Sequence, residues 1–218
     1  MRKYDVIAFD LDGTLTDPAE GLLNGFEYAF RKVGIEYPNR AWLKKYIGPP
    51  LYEEWKREFG FSDEETDRAV LTFREYYNVY GWWDNKVYPG ISEMLKRLKA
   101  AGLRLVVATS KPENTAKRVL SFFELDGNFD FIGGADGHKN RDKKHEVLTY
   151  VLDSAGVSDK SRCILVGDRL FDAEGARACG IDSMAAMWGH GTEEELRSSG
   201  FTLYAKTPLE VADILINE

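Results

Sequence analysis

The chain has 218 residues, 44% of them hydrophobic and 30% charged, with a net charge of −7. That composition is too apolar for disorder, and the length suffices for a buried core. The acidic balance disfavours a nucleic-acid backbone as partner, and no run approaches the ~20 apolar residues of a membrane span. The first apolar run, "YDVIAF" (4–9), is short and meets an acid at Asp5, which predicts a first strand with no signal peptide. About seventy residues without a strand pattern follow. In them Leu22, Phe26, Ala29, Phe30 and Val33 keep helical spacing up to a stop at Gly34. Further helices are expected over about 40–47, 50–59 and 63–80, punctuated by "GPP" (48–50) and "GFSDEE" (60–65). Ser62 and Glu65 have the spacing of a capping box.

"VYPG" (87–90) then starts an alternation of strands and helices. The strands are "LRLVVAT" (103–109), "FDFIGG" (129–134), "RCILVGD" (162–168) and "IDSMAAM" (181–187); the amphipathic stretches are 90–101, 112–123, 143–155 and 171–179. Strands apolar on both sides suit a parallel sheet covered on both faces. The repetition predicts an α/β, doubly wound, Rossmann-like fold. Its core is expected to comprise 1–16 and 87–218, with an all-helical insert at 17–86.

Ligands of an open α/β sheet bind beyond the carboxyl ends of the strands. Those ends carry Asp10, Asp12, Gly13 and Thr14; then Thr109, Ser110 and Lys111; then Gly133 and Gly134 before the basic segment "HKNRDKKH" (138–145); then Gly167, Asp168 and Asp172. Acids, a hydroxyl and lysines thus converge on one sheet edge. Asp10 and Asp12 flank a single leucine. Buried carboxylates also require a cation or a proton. Among the lysines, Lys144 lies three and four residues before Val147 and Leu148, on the buried side of its helix, and Lys143 points a quarter-turn away. Lys143 is the fallback, with Lys139 and Lys111 behind it.

These segments resemble the four motifs of the haloacid-dehalogenase-like hydrolases. "FDLDGTLTD" is similar to the first, "VVATSKP" to the second, the lysine-bearing stretch 139–144 to the third and "VGDRLFDAEGA" to the fourth. The insert sits where that family carries its C1 helical cap, and the subgroup it most resembles is the phosphoglycolate phosphatases, with nucleotidase-like relatives. The resemblance implies a magnesium-dependent phosphomonoester hydrolase. In it Asp10 would be the nucleophile, forming an aspartyl-phosphate, and Asp12 the acid and then the base, its backbone carbonyl also meeting the metal. Thr109, Ser110, Gly13 and Lys144 would contact the phosphate, and Asp168 and Asp172 would bind Mg2+ with Asp10 and Asp12. The family pattern commonly has a proline after the lysine, which this chain lacks.

A small soluble phosphomonoester is the expected substrate, and a monomer or weak dimer in the cytoplasm the expected state. A β-phosphoglucomutase-type sugar-phosphate mutase is the enzyme alternative, and a receiver-like phosphoacceptor or an interaction domain the non-enzyme one. Trp82 and Trp83 are expected to anchor the insert on the core, "GPP" to be a turn and a substrate-facing loop, and His138, His145 and His190 to be surface groups. Cys163 and Cys179 are expected to be buried free thiols, and Glu193–Glu195 the acidic first turn of a helix. Tyr28, Tyr46, Tyr52 and Trp55 could furnish an aromatic pocket for a nucleotide.

Overall fold

The computed structural model describes residues 3–48, 51–136 and 141–217. Pro49, Pro50, His138 and Lys139, on which the expectations for the "GPP" loop, one histidine and one lysine rest, lie outside them. The chain divides into two compact units, Met1–Asp17 with Val87–Glu218, and Pro18–Lys86.

The larger unit is built on a parallel sheet of six strands. In chain order these are β1 (Val6–Phe9), β4 (Arg104–Pro112), β5 (Phe131–Ala135), β6 (Cys163–Gly167), β7 (Asp182–Ala186) and β8 (Leu203–Ala205), arranged β5-β4-β1-β6-β7-β8. The two-residue strands β2 (Thr16–Asp17) and β3 (Lys86–Val87) form a separate sheet. All four residues of β1 are buried, and alternation sends Val6 and Ala8 to one face, Ile7 and Phe9 to the other. On the first face Val6, Ala8, Val106, Ala108 and Leu165 pack against Val147, Leu148, Val151 and Leu152 of α6 (Lys144–Ser154) and Ala176 of α7 (Leu170–Cys179). This unit also holds the α-helices α4 (Ile91–Ala100), α5 (Glu113–Phe122), α8 (Glu193–Ser198) and α9 (Pro208–Asn217). Strand β8 was not expected: three residues are too few for a pattern to show, and its pairing with β7 defines it.

The sheet order turns at β1, which has β4 on one side and β6 on the other. Phe9 is in register with Val107 and with Val166, so β1 and β6 end within a residue of each other while β4 runs on past them to Pro112. That is the topological switch point of a doubly wound sheet, where ligands bind.

The smaller unit holds α1 (Ala19–Val33), a 3₁₀ helix at Arg40–Tyr46, α2 (Leu51–Phe59) and α3 (Asp63–Tyr76), continued by a π turn at Tyr77–Gly81. Gly34 ends α1 with φ at 80°, and Ser62 and Glu65 form the capping box of α3. The α-helix therefore stops short of residue 80. The π turn lies against α1 where Gly21 and Gly81 face each other, and a Cβ on Gly21 would lie 2.0 Å from the Gly81 carbonyl oxygen. Tyr46 and Trp55 are buried in the cluster of this unit, so neither can stack on a ligand. Tyr52 donates to Asp63 at 2.8 Å and Tyr28 lies 5.4 Å from the Tyr76 ring. Trp82, expected to face the core, packs into this same cluster, and Trp83 lines an open hollow with Tyr76, Tyr80 and Asp84.

Candidate active site

Strand geometry stops at Phe9. Leu11 is fully buried, and its carbonyl accepts the amides of Leu15 at 2.9 Å and Thr16 at 3.0 Å, folding the chain into a tight turn. Gly13 makes that turn with φ at 87°, a conformation that favours glycine. A Cβ there would also collide with the Asp168 carboxylate, so the missing side chain makes room for the acid that ends β6. The turn sends the two acids of "DLD" to different partners. Asp10 Oδ1 lies 2.9 Å from Lys144 Nζ, and Asp12 Oδ2 lies 2.6 Å from Lys111 Nζ.

Lys144 opens α6, and its side chain is 6% exposed. Its ammonium lies between Asp10 and Asp172, at 2.8 Å from Asp172 Oδ1, and donates to the Ala108 carbonyl at 3.2 Å. The two carboxylate oxygens have no aligned hydrogen bond of their own, so the attraction is that of an ion pair. Burial alone would pull the Lys144 ammonium down; the charges of Asp10 and Asp172 outweigh it and hold the group well above its ordinary range. Lys143 is the exposed N-cap of α6, where Glu146 accepts its amide at 3.0 Å.

Asp168 is fully buried. Thr14 Oγ1 donates to it at 3.2 Å and the His190 backbone N–H at 2.8 Å. Burial, then the charges of Asp172 and Asp10, push its carboxyl well above the ordinary range, and the His190 amide offsets only part of this. Asp172, in the first turn of α7, accepts the Arg169 amide at 3.0 Å and sits where a Cβ on Gly167 would be. Asp10, Asp168 and Asp172 each offer a ligand atom, all within 4.8 Å of one another. Three carboxylates thus surround the one Lys144 ammonium, and a cation among them would offset the excess of acid. A cluster of hard carboxylate oxygens suits such an ion. The Asp12 side chain is outside this cluster, committed to Lys111.

Thr109 is buried at the end of β4, and its hydroxyl oxygen accepts the Lys111 N–H at 3.2 Å, leaving its own proton to donate. Ser110, between two buried residues, is exposed. Reading the sequence missed the loop 187–191. Trp188 Nε1 donates to the Thr14 carbonyl at 3.0 Å, and the His190 amide holds Asp168. His190 is accordingly half-buried and lies 3.5 Å from Asp17, whereas His145 is exposed as expected. The only signal for this loop was its pair of glycines flanking a histidine. Both cysteines are free thiols, Cys163 buried and Cys179 half-buried. Glu195 does more than open α8: it accepts from Arg169 at 2.8 Å.

A model of the haloacid dehalogenase-like hydrolase family matches residues 7–186. A protein of Pseudomonas aeruginosa named 5′-nucleotidase is 38% identical over 202 residues, covering 93% of this chain and 91% of that one. The tyrosine-protein kinase PtkA of Mycobacterium tuberculosis is 36% identical over 198 residues, covering 91% of this chain and 67% of that protein. The crystal structure of a predicted phosphatase from Clostridium acetobutylicum superposes with a TM-score of 0.93 at 34% identity, over 99% of both chains.

Proposed function

This chain belongs to the haloacid dehalogenase-like hydrolase family and is a phosphatase, and we propose that it hydrolyses a small phosphomonoester with Mg2+ through an aspartyl-phosphate on Asp10. The observation that carries the reading is the buried cluster of Asp10, Asp168 and Asp172 with Lys144 at its edge. Those three carboxylates, with the Asp12 backbone carbonyl, would hold Mg2+. When bound, the ion would offset the repulsion between the Asp10 carboxylate and a phosphate dianion.

Asp10 attacks phosphorus, and the P–O bond to the leaving group breaks as Asp12 passes its proton to the leaving oxygen. Water then attacks the same phosphorus while Asp12 takes its proton, and the bond from phosphorus to Asp10 breaks, releasing phosphate and restoring both acids. Lys144 orients Asp10 and, with the Thr109 hydroxyl and the amides around Gly13, receives the charge on the phosphoryl oxygens. Ser110, being exposed, is assigned at most an outer contact to substrate. The helical unit Pro18–Lys86 is read as a cap that restricts substrates to small molecules. The name of the Pseudomonas relative puts a 5′-nucleotide first among substrates and 2-phosphoglycolate, from the sequence resemblance, second.

The test is a panel of phosphomonoesters including AMP and 2-phosphoglycolate, assayed with and without Mg2+. It is joined by acid-quenched labelling of the protein from a 32P-labelled substrate. Wild type should carry an acid-stable, hydroxylamine-labile label, and Asp10→Asn should fold with neither label nor activity. Activity retained by Asp10→Asn would remove it as nucleophile.

A further inference from the structure

Resting on the acid–base reading of Asp12, we infer that Lys111 is a positioning residue: its ammonium holds Oδ2 of Asp12 so that Oδ1 is kept for the proton transfer. The Lys111 side chain is 4% exposed, as deep as that of Lys144, and a buried ammonium needs a compensating partner. Its Nζ stands 2.6 Å from Asp12 Oδ2. The other oxygen, Asp12 Oδ1, is buried and has no hydrogen-bond partner among the described residues. A buried oxygen without a donor costs stability, which marks it as the atom left to give and take the proton.

The backbone aims the lysine. Pairing of β4 with β5 jumps from Thr109–Gly134 to Pro112–Ala135, so Ser110 and Lys111 bulge out of the ladder. A bulge redirects side chains, and the bond from the Lys111 amide to Thr109 Oγ1 fixes this one. One strand end thereby supplies a phosphate donor at Thr109 and the tether for Asp12 two residues on.

The role predicts a dependence on leaving group. An aryl ester leaves as a stabilised phenolate and needs little proton transfer, whereas an alkyl ester leaves as an alkoxide and needs it fully. Lys111→Gln, too short to reach Oδ2, should lose roughly 10- to 100-fold in kcat/KM, which reports the transfer to Asp10 alone, on the alkyl phosphate that wild type turns over fastest. On 4-nitrophenyl phosphate it should lose no more than a few-fold in kcat/KM, whereas kcat falls on both esters to the extent that the water step, common to both, limits it. Lys111→Arg should fall between wild type and Lys111→Gln, and it carries the comparison if the Gln variant does not fold. Equal losses of kcat/KM on both esters would overturn the inference and make Lys111 a phosphate-binding group.

Asp12→Asn separates the two readings. If it discriminates between the esters and Lys111→Gln does not, only the role of Lys111 falls. If Asp12→Asn does not discriminate, the acid–base reading fails and takes the inference with it. A second readout needs no turnover: in metal-free protein, adding Asp12→Asn to Lys111→Gln should recover part of the lost melting temperature, because the charge that Lys111 neutralised is gone. Additive losses would count against the pairing.

Discussion

Lys144 lies between the carboxylates of Asp10 and Asp172, and Lys143, its neighbour in sequence, is exposed at the helix cap. The two lysines differ by one position and by everything that sets their energetics. Removing the Lys144 ammonium strips a charge-assisted contact from a desolvated cluster, worth about 1.5–3 kcal/mol, or roughly 10- to 100-fold in kcat/KM. Lys144→Ala is expected to show that loss and Lys143→Ala no more than a few-fold, measured side by side at fixed Mg2+. The reverse ranking would displace Lys144 from the site. Facing was legible here because the apolar residues of α6 repeat with the helical period and put Lys144 on their side. The pairing of Lys111 with Asp12 was not legible, since ninety-nine positions separate the two and only the register of β1 with β4 brings them together.

Helix α7 shows how an element serves a residue on its neighbour. Gly175, inside α7, packs on the stem of Lys144; a Cβ there would lie 2.5 Å from Lys144 Cγ. On an isolated helix, glycine to alanine gains roughly 1 kcal/mol. Against a stem held by two ion pairs, the added methyl overpacks the contact at a cost of ~1–3 kcal/mol. Gly175→Ala is therefore expected to lower the melting temperature and to cut kcat/KM about tenfold by shifting the ammonium. Thermal melts with kinetics on one preparation check it. A more stable and fully active variant would mean that α6 and α7 move apart freely. The sequence carries this glycine in plain view within "DAEGA", yet nothing in its own helix requires it.

At the scale of the molecule, the site gathers residues from β1, β4, α6, β6 and α7, and the excess of acid at their meeting point opposes the fold, a cost that a bound cation would relieve. A ligand that binds only the native state stabilises it by about 2.7 kcal/mol at a hundred times its Kd. For a chain of this length that is a rise of roughly 5–10 °C in Tm. Mg2+ added to chelator-treated protein is expected to give such a rise, and Asp168→Ala to abolish most of it. Differential scanning calorimetry in matched buffers measures both. An equal rise in the variant would remove Asp168 from the metal site.

Local pattern was enough for the elements that carry their own signal. Unbroken apolar strands announced a sheet buried on both faces, and Gly34 and the Ser62–Glu65 pair marked helix ends through backbone needs met within a few residues. The acids at the strand ends were legible for the same reason, because a doubly wound sheet opens its ligand crevice where its strands stop. Tertiary structure decided the rest: β8, which exists only against β7; the burial of Tyr46 and Trp55, which removes them from any ligand; and the His190 amide on Asp168. It also decided which lysine belongs to which aspartate. Each of these depends on groups distant in sequence meeting at one place, and the register of the parallel sheet, which no short stretch of chain encodes, sets that meeting.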